Sequence, residues 1–80
     1  MKYIIFHDQD AVLFPEWMNH DEVGLALSKR FGQPTSAGFV TIADEYDSED
    51  PCCFGKSESL KLESKPGDSK TVGRALRIRG

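Results

Sequence analysis

Residues 2–14 read KYIIFHDQDAVLF. The run Tyr3-Ile4-Ile5-Phe6 is apolar without a break and rich in β-branched and aromatic side chains. Such a run predicts a strand buried on both of its faces. HDQD (7–10) is polar and suits a turn. AVLF (11–14) predicts a second strand, halted by Pro15, which has no N–H to offer a ladder. Two short strands around a polar turn make a hairpin, so a sheet is the framework of this chain. The connection PEWM (15–18) carries the single tryptophan, and Trp17 is expected to cover the edge of the core.

Working outward, NHDEVGLALSKRFG (19–32) predicts a helix. Asn19 suits the N-cap and Glu22 follows three residues later, as in a capping box. Asp21 and Glu22 fall in the first turn and Lys29 and Arg30 in the last, as the helix dipole favours. Val23, Ala26, Leu27 and Phe31 repeat at helical spacing and give one apolar stripe. Gly24 costs the helix about 1 kcal/mol relative to alanine, which argues for close packing against the sheet. Gly32 stands where a left-handed C-terminal residue is wanted.

TSAGFVTIA (35–43) predicts a strand with Phe39 on one side and Val40 and Ile42 on the other. DEYDSEDP (44–51) reads as a turn, and CCFGKS (52–57) as the returning strand of a second hairpin. SLKLES (59–64) alternates Leu60 and Leu62 with polar residues and adds a short edge strand, protected by nearby lysines. PGDSKTVGRALRIRG (66–80) closes the chain as a helix, with Pro66 at its first position and Val72, Ala75 and Leu76 as its apolar face. The order β-β-α-β-β-(β)-α implies an α+β domain over residues 1–80. It would have a mostly antiparallel sheet of four to five short strands and both helices on one face.

Eighty residues bury only about 60–65% of the surface of the unfolded chain, which leaves little room for a deep enclosed active site. No apolar run approaches the roughly 20 residues that span a bilayer, and the short apolar start does not make a signal peptide. The expectation is a cytoplasmic protein without membrane contact. Two adjacent cysteines, Cys52 and Cys53, do not form a disulfide framework; on a strand their thiols face opposite sides.

Net charge is −3, but it is unevenly placed. Residues 1–55 hold ten acids against three bases, a balance of −7, and residues 56–80 hold seven bases against three acids, a balance of +4. An acidic front disfavours nucleic acid and favours a basic partner. The densest acids are Asp44, Glu45, Asp47, Glu49 and Asp50, with Tyr46 among them as an aromatic anchor. Asp21 and Glu22 extend the same charge to the first helix. These eight residues are the candidate protein-binding surface. Acids of this kind also serve simply to keep a small domain soluble.

Catalytic and metal sets are sparse. YIIFHDQDAVLF (3–14) resembles the first motif of haloacid-dehalogenase-type phosphatases. That resemblance implies Asp8 as nucleophile, Asp10 as acid/base and a bridging Mg²⁺. The family also needs a Ser or Thr after a later strand, a lysine, a second acidic pair and a doubly wound parallel sheet, and His7 interrupts the junction before Asp8. His7, His20, Cys52 and Cys53 lack the spacing of a zinc site. The acidic run lacks the ligand order and central glycine of a calcium loop. The basic C-terminal segment has no interleaved aromatics for nucleic acid. The expectation is a chain with no catalytic residues, no metal and no cofactor.

The chain as a whole resembles the small accessory proteins of phages and prophages, in KYIIF, the NHDE helix start, TSAGFV, CCFGKSESLKLESKP and the closing helix. Among these are anti-CRISPR proteins, which are small, commonly acidic, and bind Cas components stoichiometrically. The resemblance implies a non-catalytic inhibitor whose partner is a basic nucleic-acid-binding host protein such as a Cas component, with no direct binding of nucleic acid. The alternatives are a minimal Mg²⁺-dependent phosphoryl-transfer enzyme using Asp8 and Asp10, or a small regulatory subunit. The oligomeric state is left open.

Overall fold

Tyr3, Ile4, Ile5 and Phe6 are all buried, so strand β1 (Lys2–Phe6) is covered from both sides. Neighbouring side chains on a strand point to opposite faces, and here they feed two separate clusters. Ile4 and Phe6 pack with Phe14, Val23, Ala37, Leu27 and Phe31. Tyr3 and Ile5 pack with Ala11, Val40, Val72, Ala75 and Leu76. The computed structural model describes residues 1–41 and 51–79.

β1 pairs antiparallel with β2 (Asp10–Phe14) on one side and β3 (Pro34–Thr41) on the other, and β3 pairs antiparallel with β4 (Cys52–Phe54). The sheet order is β2-β1-β3-β4. A separate two-stranded ladder joins β5 (Lys56–Ser57) to β6 (Leu62–Glu63). Helix α1 (His20–Phe31) supplies Val23, Leu27 and Phe31 to one cluster, and α2 (Asp68–Arg79) supplies Val72, Ala75 and Leu76 to the other. The fold is α+β with an antiparallel sheet, as expected, but the two helices cover opposite faces rather than one. The cause lies in β1: an apolar run with no polar side leaves neither face able to meet water.

The first hairpin turns at His7 and Asp8, both with positive φ (53° and 59°). These residue types tolerate that region better than most. The tip is held by Gln9 N–H donating to Phe6 O at 3.0 Å and Asp8 N–H donating to Thr35 Oγ1 at 2.9 Å. Asn19 takes the N-cap position in extended conformation but makes no side-chain cap bond. Its Nδ2 instead donates to Glu22 Oε1 at 2.9 Å. Gly32 ends α1 at φ 95°, ψ −157°, a positive-φ stop outside the left-handed helical region.

Four other expectations change. Gly55, at φ 78°, breaks CCFGKS into β4 and β5, which belong to different sheets. α2 begins at Asp68, with Pro66 and Gly67 in the turn before it. Ala26 is exposed on α1, so the packed stripe narrows to buried Val23 and half-buried Leu27 and Phe31, beside Gly24. A Cβ on Gly24 would lie 3.4 Å from the Leu60 methyls and 3.7 Å from Ile4 Cδ1, so the glycine meets the 57–63 segment more closely than the sheet.

Candidate functional site

Asp21 and Glu22 enter the first turn of α1 because that turn tolerates negative charge, and both are exposed. They form the rim of an open groove of about 740 Å³. Its wall and floor include Gly24, Leu25, Pro34 and Leu60. Leu25 is 76% exposed there, an apolar side chain held in water next to two carboxylates. Asp21 also borders a second groove of about 720 Å³, where the stacked rings of Phe39 and Phe54 stand 6.0 Å apart between centroids. Asp44, Glu45, Tyr46, Asp47, Glu49 and Asp50, the other six candidate residues, lie outside the described residues.

Trp17 is 80% exposed and does not cover the core. The turn that carries it closes through Met18 N–H donating to Pro15 O at 3.1 Å, which leaves the indole outside. Glu16 is exposed beside it in sequence and pairs with the N-terminal ammonium at 3.4 Å.

The structure separates the four candidate zinc ligands. His20 is only 5% exposed, and its Nε2 donates to Gly38 O at 3.0 Å. Phe14 and Phe39 meet its ring edge-on at 5.3 and 5.8 Å. Burial holds this imidazole below its ordinary pKa, with the Gly38 bond acting in the other direction. His7 sits exposed at the hairpin tip, Cys52 is exposed, and Cys53 is half-buried against the α2 cluster. Among the described residues, no group of three His, Cys, Asp or Glu side chains is placed to hold a metal ion.

Asp8 and Asp10 are exposed at the turn of an antiparallel hairpin. Two further groups come to Asp8 that its sequence neighbours do not show. Thr35 Oγ1 accepts its N–H at 2.9 Å, and Lys65 Nζ lies 3.7 Å from its Oδ1.

Sequence reasoning missed the buried polar cluster beneath α2. Asp68 is 4% exposed. Its Oδ1 accepts from Ser36 Oγ at 3.0 Å, and its Oδ2 accepts from Lys65 N at 2.9 Å and from the Tyr3 hydroxyl. Ser69 Oγ accepts from Cys53 N at 3.2 Å. Burial, reinforced by the Asp68 hydrogen bond and charge, pushes the Tyr3 phenol well above its ordinary pKa. Burial likewise raises the Cys53 thiol. A thiol kept protonated is a poor nucleophile, and the hydrogen bonds of this cluster join β1, β3 and the start of α2. The only signal in the sequence was an aspartate one residue after Pro-Gly, which reads equally as a helix-start acid.

No family model, curated protein or solved structure matches the chain. Among the described residues, no helix is long and apolar enough to cross a membrane.

Proposed function

We propose that the chain is a non-catalytic binding protein that occupies a basic partner stoichiometrically through an acidic surface. An anti-CRISPR protein of phage type, blocking a Cas complex, is the reading we put forward. The observation that carries it is the groove beside α1, where Asp21 and Glu22 rim an apolar floor and Leu25 stands exposed. A carboxylate rim meets the Lys and Arg of a nucleic-acid groove and competes with phosphate, while the apolar floor adds contact area. The charge of residues 44–50 has the same sign.

The test is to mix the chain with basic nucleic-acid-binding effector complexes, Cas complexes first, and to follow their DNA binding. The expected result is a one-to-one complex that weakens with salt and lowers DNA binding. Absence of any complex, or a complex indifferent to salt, overturns the proposal.

A second reading has one observation in its favour: Thr35 and Lys65 gather at Asp8, the residue that the phosphatase resemblance makes the nucleophile. Against it stand the antiparallel sheet and the lack of a second acidic pair at this tip among the described residues. Mg²⁺-dependent turnover of a generic phosphate ester, abolished by Asp8→Asn, would establish this reading over the first.

A further inference from the structure

Asp21, Gly24, Leu25 and Ser28 are spaced by three and four, so they share one stripe of α1, next to the stripe that packs on the sheet. Two of the four add little bulk. Gly24 has no side chain, and Ser28 Oγ turns back to donate to Leu25 O at 3.0 Å. Leu60 takes the space that a side chain at 24 would fill, its methyls 3.4 Å from the position of a Cβ there. The Leu60 N–H donates to Ser57 Oγ at 3.2 Å, which holds the residue in place. The stripe and Leu60 thus leave an open trough of about 740 Å³ with an apolar floor.

The acids stand at one end of this trough, in the first turn of α1. Neither Asp21 nor Glu22 has an ion-pair partner among the described residues. No lysine or arginine is among the described residues that line the trough. Glu22 Oε1 accepts from Asn19 Nδ2 at 2.9 Å, which steadies that carboxylate and leaves its second oxygen for a donor. Two full negative charges outweigh the positive charge of about 0.5 at a helix start. The other end, at Gly32, Gln33 and Pro34, is uncharged. The trough is therefore apolar along its length and negative at one end.

An apolar channel with an anionic end is complementary to a side chain with an apolar stem and a cationic head. Lysine and arginine both have that form, and their heads differ. An ammonium is compact and strongly hydrated, and it loses water against leucine methyls. A guanidinium is flat and weakly hydrated, with five donors fixed in one plane. Asp21 and Glu22, as helical neighbours, point about 100° apart, so a head that donates in several directions reaches both while its face rests on apolar surface. We propose that the trough selects arginine over lysine: an arginine side chain of the basic partner lays its stem along Leu60 and Leu25 and sets its guanidinium between Asp21 and Glu22. This rests on the reading of the groove as a binding surface and adds which side chain it takes.

An NMR titration of the full chain with three blocked tripeptides tests this: Gly-Arg-Gly, Gly-Lys-Gly and Gly-citrulline-Gly, in which citrulline keeps the shape of arginine without its charge. The arginine peptide is expected to shift the Asp21, Glu22 and Leu25 amides and the Leu25 and Leu60 methyls, and to bind more tightly than the lysine peptide. The citrulline peptide should leave them unmoved. Asp21→Asn/Glu22→Gln should weaken the arginine peptide about fivefold, and Leu25→Ser should shrink its advantage over lysine. The wild-type comparison of the three peptides decides even if a variant does not fold. No shift in the trough, or equal binding of the arginine and lysine peptides, overturns the proposal. Arginine-selective shifts in a chain that leaves DNA binding by the effector complexes unchanged would support the trough and overturn the functional reading alone. A salt-sensitive complex formed by a chain whose trough ignores arginine would do the reverse.

Discussion

The two faces of the sheet are held by different chemistry. On the α1 face, Phe6, Phe14 and Phe31 meet Ile4, Val23 and Leu27, and the buried imidazole of His20 meets Phe14 edge-on. On the α2 face the helix brings smaller apolar groups, Val72, Ala75 and Leu76, and a buried carboxylate tied to β1 and β3. Apolar burial is non-directional and tolerates small shifts. A carboxylate with three donors is directional and costly to disrupt. The difference teaches that a helix with a short apolar face can be fixed in position by hydrogen bonds when area alone would leave it loose.

The largest expected effect tests the polar side. Asp68→Ala leaves Tyr3, Ser36 and the Lys65 N–H without their acceptor in a buried site, at an expected cost of about 4 kcal/mol. Urea unfolding reads the loss. Hydrogen exchange should show α2 amides exposed while those of α1 stay protected, and equal loss in both helices would break the comparison. The matching deletion on the apolar side, Phe6→Ala, should cost about 3 kcal/mol by cavity formation, with both helices protected until global unfolding. Tyr3→Phe removes one of the three donors and keeps the ring. About 1.5 kcal/mol is expected.

His20 gives the apolar face a pH dependence. Its folded pKa lies below the ordinary value of 6.5, so the unfolded chain takes up a proton more readily than the folded one. Its contribution is complete above pH 6.5 and falls away as pH drops below that value. Replacing it by His20→Leu should flatten the stability profile in that acid window, as thermal unfolding across pH would show. The smallest effect belongs to Gly24→Ala. A methyl there meets the flexible Leu60 side chain at ordinary contact distance, and the helix gains propensity, so stability should rise by about 0.5 kcal/mol.

Much of the α1 side was legible in the sequence. Its cap position, first-turn acids, apolar repeat and terminal glycine are local signals, and each sits within one or two turns of the next. The α2 side was less so, because Asp68 stands 65 residues from Tyr3 and 32 from Ser36, and no local pattern links them. The placement of both helices on one face conflicted with a reading already made of β1. A strand apolar on both sides requires cover on both sides, and Tyr3-Ile4-Ile5-Phe6 carried that signal. Trp17 and the break at Gly55 depend on backbone turns whose direction the residue types leave open. Asp21 and Glu22 entered the candidate surface from charge alone. Their place beside Leu25 and Leu60 was not, because Leu60 comes from the turn between β5 and β6, a ladder separate from the main sheet.

The acid-rimmed groove beside α1 is the proposed binding surface. The most direct test is the displacement of DNA from a Cas effector complex by the wild-type chain and by Asp21→Lys/Glu22→Lys, at low and high salt. The account predicts one-to-one displacement by wild type that fades with salt, and none by the folded variant. Equal displacement by both chains would contradict it.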